Sequence, residues 1–274
     1  MKIIGADDRL AKQRGAKILI VGPTGVGKTS LLRTHDPIHT LFVDIEAGDL
    51  AVQDIAVDTF RPRTWPECRD LAVYLVGANP AVPTDAVYGE KHLDAVIDQF
   101  DNFEGSARYR TIVIDSLTFL SHLCLEWALR QPEAFSERTG KKDTRGAYGL
   151  LAREMCALLR HLQQARTINI VLIGVLETVT DDFGRTEHRL QMEGSRTSRE
   201  LPAIVDQIIT MQWVDFGDGK LTRAFICTSP NPWQYPAKDR SGRLDQIEEP
   251  HLGKLLHKLM RSGGDLVKFP SAAE

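Results

Sequence analysis

At 274 residues, with 42% hydrophobic and 26% charged side chains, the chain is long enough for one large α/β domain with a small appendage. Its net charge of -3 excludes a global attraction to nucleic acid, so any DNA contact must come from a local basic patch. Without an apolar run of ~20 residues, an export signal around Asp7-Asp8-Arg9, or ligand spacing among Cys68, Cys124, Cys156 and Cys227, the expectation is a cytoplasmic protein without membrane contact.

In chain order, residues 1–14 form an arm whose Ile3-Ile4 pair is an apolar hook for a neighbouring copy. Ile18-Leu19-Ile20-Val21 is short, apolar and β-branched, and predicts a buried strand. Gly22-Pro23-Thr24-Gly25-Val26-Gly27-Lys28-Thr29 follows, a complete G-x-x-x-x-G-K-T phosphate-binding loop. Ser30-Leu31-Leu32-Arg33 then opens a short helix that Asp36-Pro37 stops. Strand, glycine loop and helix in that order let backbone N–H groups curl around a β-phosphate at the positive end of a helix. Lys28 is placed for the β- and γ-phosphates and the Thr29 hydroxyl for Mg²⁺. The chain is therefore expected to bind a nucleoside triphosphate.

Thr40-Leu41-Phe42-Val43-Asp44 predicts a second strand, and a proline-punctuated stretch over residues 61–90 holds a helix from Glu67 to Val76. A helix from Lys91 to Phe103 precedes the strand Thr111-Ile112-Val113-Ile114, and another runs from Leu117 to Arg130. A polar loop spans Gln131 to Gly146. Leu151, Met155, Leu158, Leu159 and Leu162 then recur at helical spacing, and Ile168 to Val175 reads as a central strand. Gln207–Val214 and Leu221–Thr228 predict strands joined by Gly217-Asp218-Gly219, and Leu252, Leu255, Leu256 and Leu259 mark a last helix stopped by Gly263-Gly264. Parallel β/α units followed by antiparallel strands predict an α/β fold: a mostly parallel central sheet flanked by helices, with an antiparallel C-terminal extension.

Two acidic positions complete a candidate ATPase site. Asp115 closes an apolar strand, the position from which a carboxylate holds Mg²⁺ beside a phosphate loop, though such an Asp also serves as a plain helix cap. In Phe42-Val43-Asp44-Ile45-Glu46, a carboxylate just past a neighbouring strand is placed to orient attacking water. From spacing alone, Asp44 and Glu46 are equally well read as exposed loop acids. A GTPase is disfavoured because none of Asn79, Asn102, Asn169 and Asn231 is followed by the lysine of a guanine-selecting Asn-Lys-x-Asp element.

The succession of phosphate loop, strand ending F-V-D-I-E and strand ending I-D-S resembles the RecA-type P-loop ATPase core. That resemblance implies ATP and Mg²⁺ as cofactors, Glu46 as catalytic base and Asp115-Ser116 as the metal-binding pair. Hexameric AAA+ motors place the catalytic acid directly after the metal aspartate, where this chain has Ser116. The wider pattern is similar to the phage-type RecA-like proteins, some of which anneal single strands. Tyr148-Gly149, the Leu201-Pro202 to Asp206 segment and Ala237-Lys238-Asp239-Arg240 carry that part of the likeness. It implies an ATPase core over residues 15–235 and a C-terminal segment, 236–274, in which Lys238 and Arg240 reach a neighbouring subunit's γ-phosphate.

The same resemblance implies single-stranded DNA, a single-strand-binding protein and further copies of the chain, in a ring or filament, as partners. DNA would be held by two loops. The first carries Arg138, Lys141, Lys142 and Arg145, the second Arg185, Arg189, Arg196 and Arg199, with Phe135 and Phe183 available for base stacking. Both loops, Gln131–Gly146 and Thr178–Glu200, are expected to order on binding. The polar γ-phosphate sensor expected at the end of the fourth core strand is displaced to Glu177 or Thr178, or missing. A motor or loader subunit and a nucleotide-dependent switch are the alternatives to a recombinase.

Overall fold

The computed structural model describes residues 3–7, 14–100, 108–180, 183–184, 186–217 and 219–260. Its strands are β1 (Lys17–Gly22), β2 (Thr40–Asp44), β3 (Asp58–Phe60), β4 (Thr111–Asp115), β5 (Asn169–Thr180), β6 (Thr186–Leu190), β7 (Gln207–Asp215), β8 (Leu221–Ile226), β9 (Lys238–Asp239) and β10 (Ile247–Glu248). They form one sheet in the order β10-β8-β7-β1-β5-β4-β2-β3, with β6 on β5 and β9 on β7. From β7 to β3 all neighbours are parallel, while β8, β9 and β10 pair antiparallel. The predicted fold class is the observed one.

The apolar runs read as strands because both faces of the sheet are covered. Leu19, Val21, Leu41, Val43, Ile112, Ile114, Ile170 and Leu172 enter one core. Their neighbours in sequence, Ile18, Ile20, Phe42, Val113, Val171 and Ile173, enter the other. On the first face pack α1 (Trp65–Val76), α2 (Glu90–Ile97), α3 (Leu117–Ala128), α4 (Thr144–Gln163) and α5 (Ser195–Ile204). On the second lie the 3₁₀ turn Thr29–Thr34 after the phosphate loop and α6 (Leu252–Met260), through Leu31, Leu32, Leu252, Leu255 and Leu256.

Several boundaries move for local reasons. α1 starts ahead of Glu67 because the Thr64 side chain accepts from Glu67 N while the Glu67 carboxylate accepts from Arg63 N at 2.7 Å. α2 ends at Ile97 and passes into the 3₁₀ turn Asp98–Phe100, and the rest of the helix expected to Phe103 lies outside the described residues. Asp143 caps α4 by accepting from Arg145 N and Gly146 N, so the helix takes over the end of the first expected DNA loop. The remainder of that loop is tied by a bridge between Phe135 and Lys142.

The second expected loop is mostly regular structure. β5 runs past the sheet to Thr180, β6 returns antiparallel to it, and α5 follows. Where a loop that orders on binding is expected over Thr178–Glu200, the described residues form the ends of two paired strands and a helix. Gly263-Gly264, the expected stop of the last helix, lies outside the described residues.

Candidate nucleotide site

The loop over residues 22–29 joins β1 to the Thr29–Thr34 turn. Gly25 (φ 80°) and Gly27 (φ 98°) occupy the left-handed region, which side-chain-bearing residues rarely adopt. Gly22 is required for another reason: a Cβ there would meet the Met211 carbonyl oxygen at 2.4 Å. Val26 is buried in the core beneath the loop and anchors it. Pro23 is half-buried, whereas Thr24 and Gly25 are exposed at the loop's crown. Lys28 is buried, and its ammonium donates to the carbonyls of Gly22 and Pro23, both at 2.9 Å. Burial draws its pKa below the usual lysine range, against the opposing pull of Asp115 and Glu46.

Parallel pairing of β2 with β4 sets Asp44 beside Asp115. Asp115 is buried and accepts from the Thr29 hydroxyl at 2.5 Å. Its pKa is pushed up to about 6, first by burial; the Thr29 hydrogen bond opposes this, Glu46 adds to it and Lys28 opposes it. The buried Asp44 takes a different part. It accepts from Gly48 N and from Arg61 Nε, each at 2.9 Å, and so fixes the turn that follows β2. Ile45 N donates to the Asp115 carbonyl oxygen at 2.8 Å, and the exposed Glu46 accepts a hydrogen bond from the Ser116 hydroxyl. The Asp115–Ser116 peptide is cis. Thus Glu46 is the acid that faces Asp115 and Ser116, and Asp44 positions the turn that carries it.

A cavity of about 580 Å³ is lined by Gly25, Lys28, Thr29, Ser30, Glu46 and Asp115 among others. Among the described residues no group of three His, Cys, Asp or Glu side chains is disposed to cage a metal. The Thr29–Asp115 pair fits Mg²⁺ nevertheless, since that ion keeps several waters and takes one or two carboxylates together with phosphate oxygens. In that role Thr29 and Asp115 would hold an ion that neutralises charge on the transferred phosphoryl group.

Sequence reasoning missed Gln191. Neither Glu177 nor Thr178 lines the cavity; they sit on the hairpin, paired with Arg189 and His188. Instead the chain returns from β6 and places Gln191 beside Val175 at the cavity wall. Its N donates to the Val175 carbonyl at 2.8 Å, and its own carbonyl accepts from Thr118 Oγ1 at 2.6 Å. Only recognition of β6 as a strand would have found it, and its Thr-Glu-His-Arg-Leu sequence carries no clear apolar alternation.

Lys238 and Arg240 lie beside the first residues of β7, which pair with the start of β1, so they stand at the opposite end of β1 from the phosphate loop. Lys238 Nζ donates to the carbonyls of Pro202 (2.5 Å) and Val205 (2.8 Å), and Arg240 pairs with Asp206 at 2.9 Å. Any reach toward a neighbouring subunit would break these contacts.

The DNA candidates divide. Arg138, Lys141, Lys142 and Arg145 are exposed, and among the described residues none of the four is in an ion pair. Arg189 is paired with Glu187 and Arg196 with Glu200, and Arg199 donates to the Ser195 carbonyl. Arg185 lies outside the described residues. Tyr148 near the start of α4 donates to Glu193 at 3.1 Å, which joins the two regions. Ile3 and Ile4 are exposed, Cys68, Cys124, Cys156 and Cys227 are buried free thiols, and no helix of the described residues is long and apolar enough to cross a membrane.

The chain is similar to an ATPase from the type III secretion system of pathogenic bacteria (16% identity, TM-score 0.39), over 73% of this chain and 51% of that one. It thus spans about half the length of that relative. A second likeness is to the flagellar accessory protein FlaH from Methanocaldococcus jannaschii (11% identity, TM-score 0.33), over 85% of this chain and 87% of that one. No curated protein matches. The family AAA_24, described as an AAA domain, matches residues 14–241. Because that match runs from the residues before β1 through the phosphate loop, both acidic strands and β9, the chain belongs to the AAA_24 family of AAA domains.

Proposed function

We propose that the chain is an ATPase of RecA-like organisation that binds ATP·Mg²⁺, hydrolyses it slowly and acts on single-stranded DNA in recombination or strand annealing. The observation that carries the enzymatic part is the placement of Glu46 by β2, against Ser116 and across from the Thr29–Asp115 pair. Lys28 is the phosphate cation, Thr29 and Asp115 hold the metal, and Glu46 orients the attacking water. Gln191 serves as the γ-phosphate sensor: its backbone ties Val175 to Thr118, and it follows β6 directly, so a change at the phosphate reaches the hairpin. Assembly of several copies and partnership with a single-strand-binding protein belong to the same reading.

The DNA part is supported by the four cations Arg138, Lys141, Lys142 and Arg145, which lack carboxylate partners among the described residues. They favour the first segment as the principal strand contact, with Phe135, 38% exposed, as a stacking surface. ATP hydrolysis measured with and without single-stranded DNA, at low and moderate salt, tests this. Stimulation by DNA is expected and should vanish in Lys28→Ala. Replacing the four cations by alanine should abolish the stimulation and flatten the salt dependence of DNA binding by about 2 to 3 logarithmic slope units. Turnover indifferent to DNA would move the chain to a motor or loader subunit, or to a switch.

A further inference from the structure

A nucleoside triphosphate has two ends, and the carboxylates settle where one of them goes. Glu46 follows β2 and Asp115 ends β4, so a γ-phosphate and its metal would lie to that side of β1. The nucleoside would then extend to the other side, over β7 and β8. On that side Arg223 of β8 reaches the phosphate loop itself. A Cβ built on Gly27 would come within 2.6 Å of Arg223 Nη1, with Arg223 Cζ and Met211 Cε both at 3.8 Å. Arg223 pairs in register with Trp213 of β7, and its guanidinium lies 5.2 Å from the indole centroid. Met211 is buried in the core under the loop. Trp213, two residues on and therefore on the same face of β7, is 46% exposed. Among the described residues no carboxylate or carbonyl takes a hydrogen bond from the Arg223 side chain. A charged guanidinium held by an aromatic ring against a phosphate loop, without an acid of its own among the described residues, presents a flat cationic face to whatever the loop binds.

We propose that Arg223 and Trp213 form the nucleoside subsite, where the base of the bound nucleotide stacks on the guanidinium–indole pair. This rests on the nucleotide-binding reading of residues 22–29. The test is titration of the full chain with MgATP and with magnesium tripolyphosphate, which carries the phosphates without a nucleoside. Arg223→Met and Trp213→Ala are each expected to weaken MgATP by about 5- to 100-fold, the range base stacking supplies, and to leave tripolyphosphate within about 2-fold. Retained tripolyphosphate binding also reports that the variants fold. Equal losses for both ligands would make Arg223 a phosphate cation and overturn the subsite, and unchanged MgATP affinity would make the pair a mere cover for the loop. Failure of the underlying reading looks different: wild-type chain binding neither ligand, or Lys28→Ala binding both as well as wild type, would remove the loop as a phosphate site and the subsite with it.

Discussion

Glu46→Gln is expected to lower ATP turnover by about 10²- to 10⁴-fold, the range a positioned general base supplies, while MgATP affinity changes by less than about 3-fold. Glutamine keeps an oxygen to accept from the Ser116 hydroxyl, so the turn after β2 should hold its shape. What it lacks is the charge and basicity needed to polarise water. The electrostatics give the direction of any affinity change. Glu46 is one of the groups that raise the pKa of Asp115, so removing its charge favours the ionised metal-binding form and should tighten rather than weaken MgATP. Single-turnover hydrolysis beside a binding titration separates the two quantities. Loss of binding along with turnover would make Glu46 a structural acid, and full turnover would place the base elsewhere. The contrast is Asp44→Asn, whose remaining oxygen still accepts from Gly48 N but whose amide N–H₂ replaces the partner of the Arg61 guanidinium, and it should cost stability first.

How much of this was legible in the sequence follows from where each residue's partner lies. Residues 18–29 carry their own explanation: an apolar β-branched run, glycines at the turn and Lys-Thr at its end report a local geometry that does not depend on distant contacts. Thr40–Asp44 was predicted to the residue because both of its faces are buried by the rest of the sheet. The choice between Asp44 and Glu46 was not legible locally, since it depends on Arg61 and Ser116, which other elements bring in. The β5–β6 hairpin was missed because its outer half is exposed on both faces and its pairing is made by backbone groups, leaving no period to read. Gln191 was invisible for the same reason, whereas Arg223 lay on a strand that was read and only its approach to Gly27 was hidden. Each gains its meaning only when a strand that looks polar or ordinary returns to the phosphate loop.

Asp115→Asn should abolish turnover and, in the ligand-free chain, raise thermal stability at alkaline pH. The argument starts from a folded pKa of about 6, raised mainly by burial, against an unfolded value of about 3.9. Between those values the native state holds a proton that the unfolded chain has released. The group's contribution to stability is therefore full below about pH 4 and is lost as pH rises through about 4 to 6. At pH 8 the buried charge costs roughly 3 kcal/mol, from about 2 units at 1.36 kcal/mol each. Asparagine still accepts from Thr29 but never ionises, so its advantage over wild type should be on the order of 5 °C in Tm at pH 8 and near zero at pH 4. Magnesium and ATP should reverse the order, since the wild type gains binding energy that the variant cannot. The kcat/KM of the wild type, which reports the free enzyme, should fall below about pH 6, as protons compete with the metal for the same carboxylate, while kcat at saturating MgATP should hold to lower pH. Equal melting temperatures at pH 8 would mean that Asp115 bears no desolvation cost. A cost that appears in the ligand-free chain and disappears with the metal instead makes Asp115 a carboxylate held out of water for a cation to claim, so the charge that destabilises the ligand-free site is the one that gives it affinity.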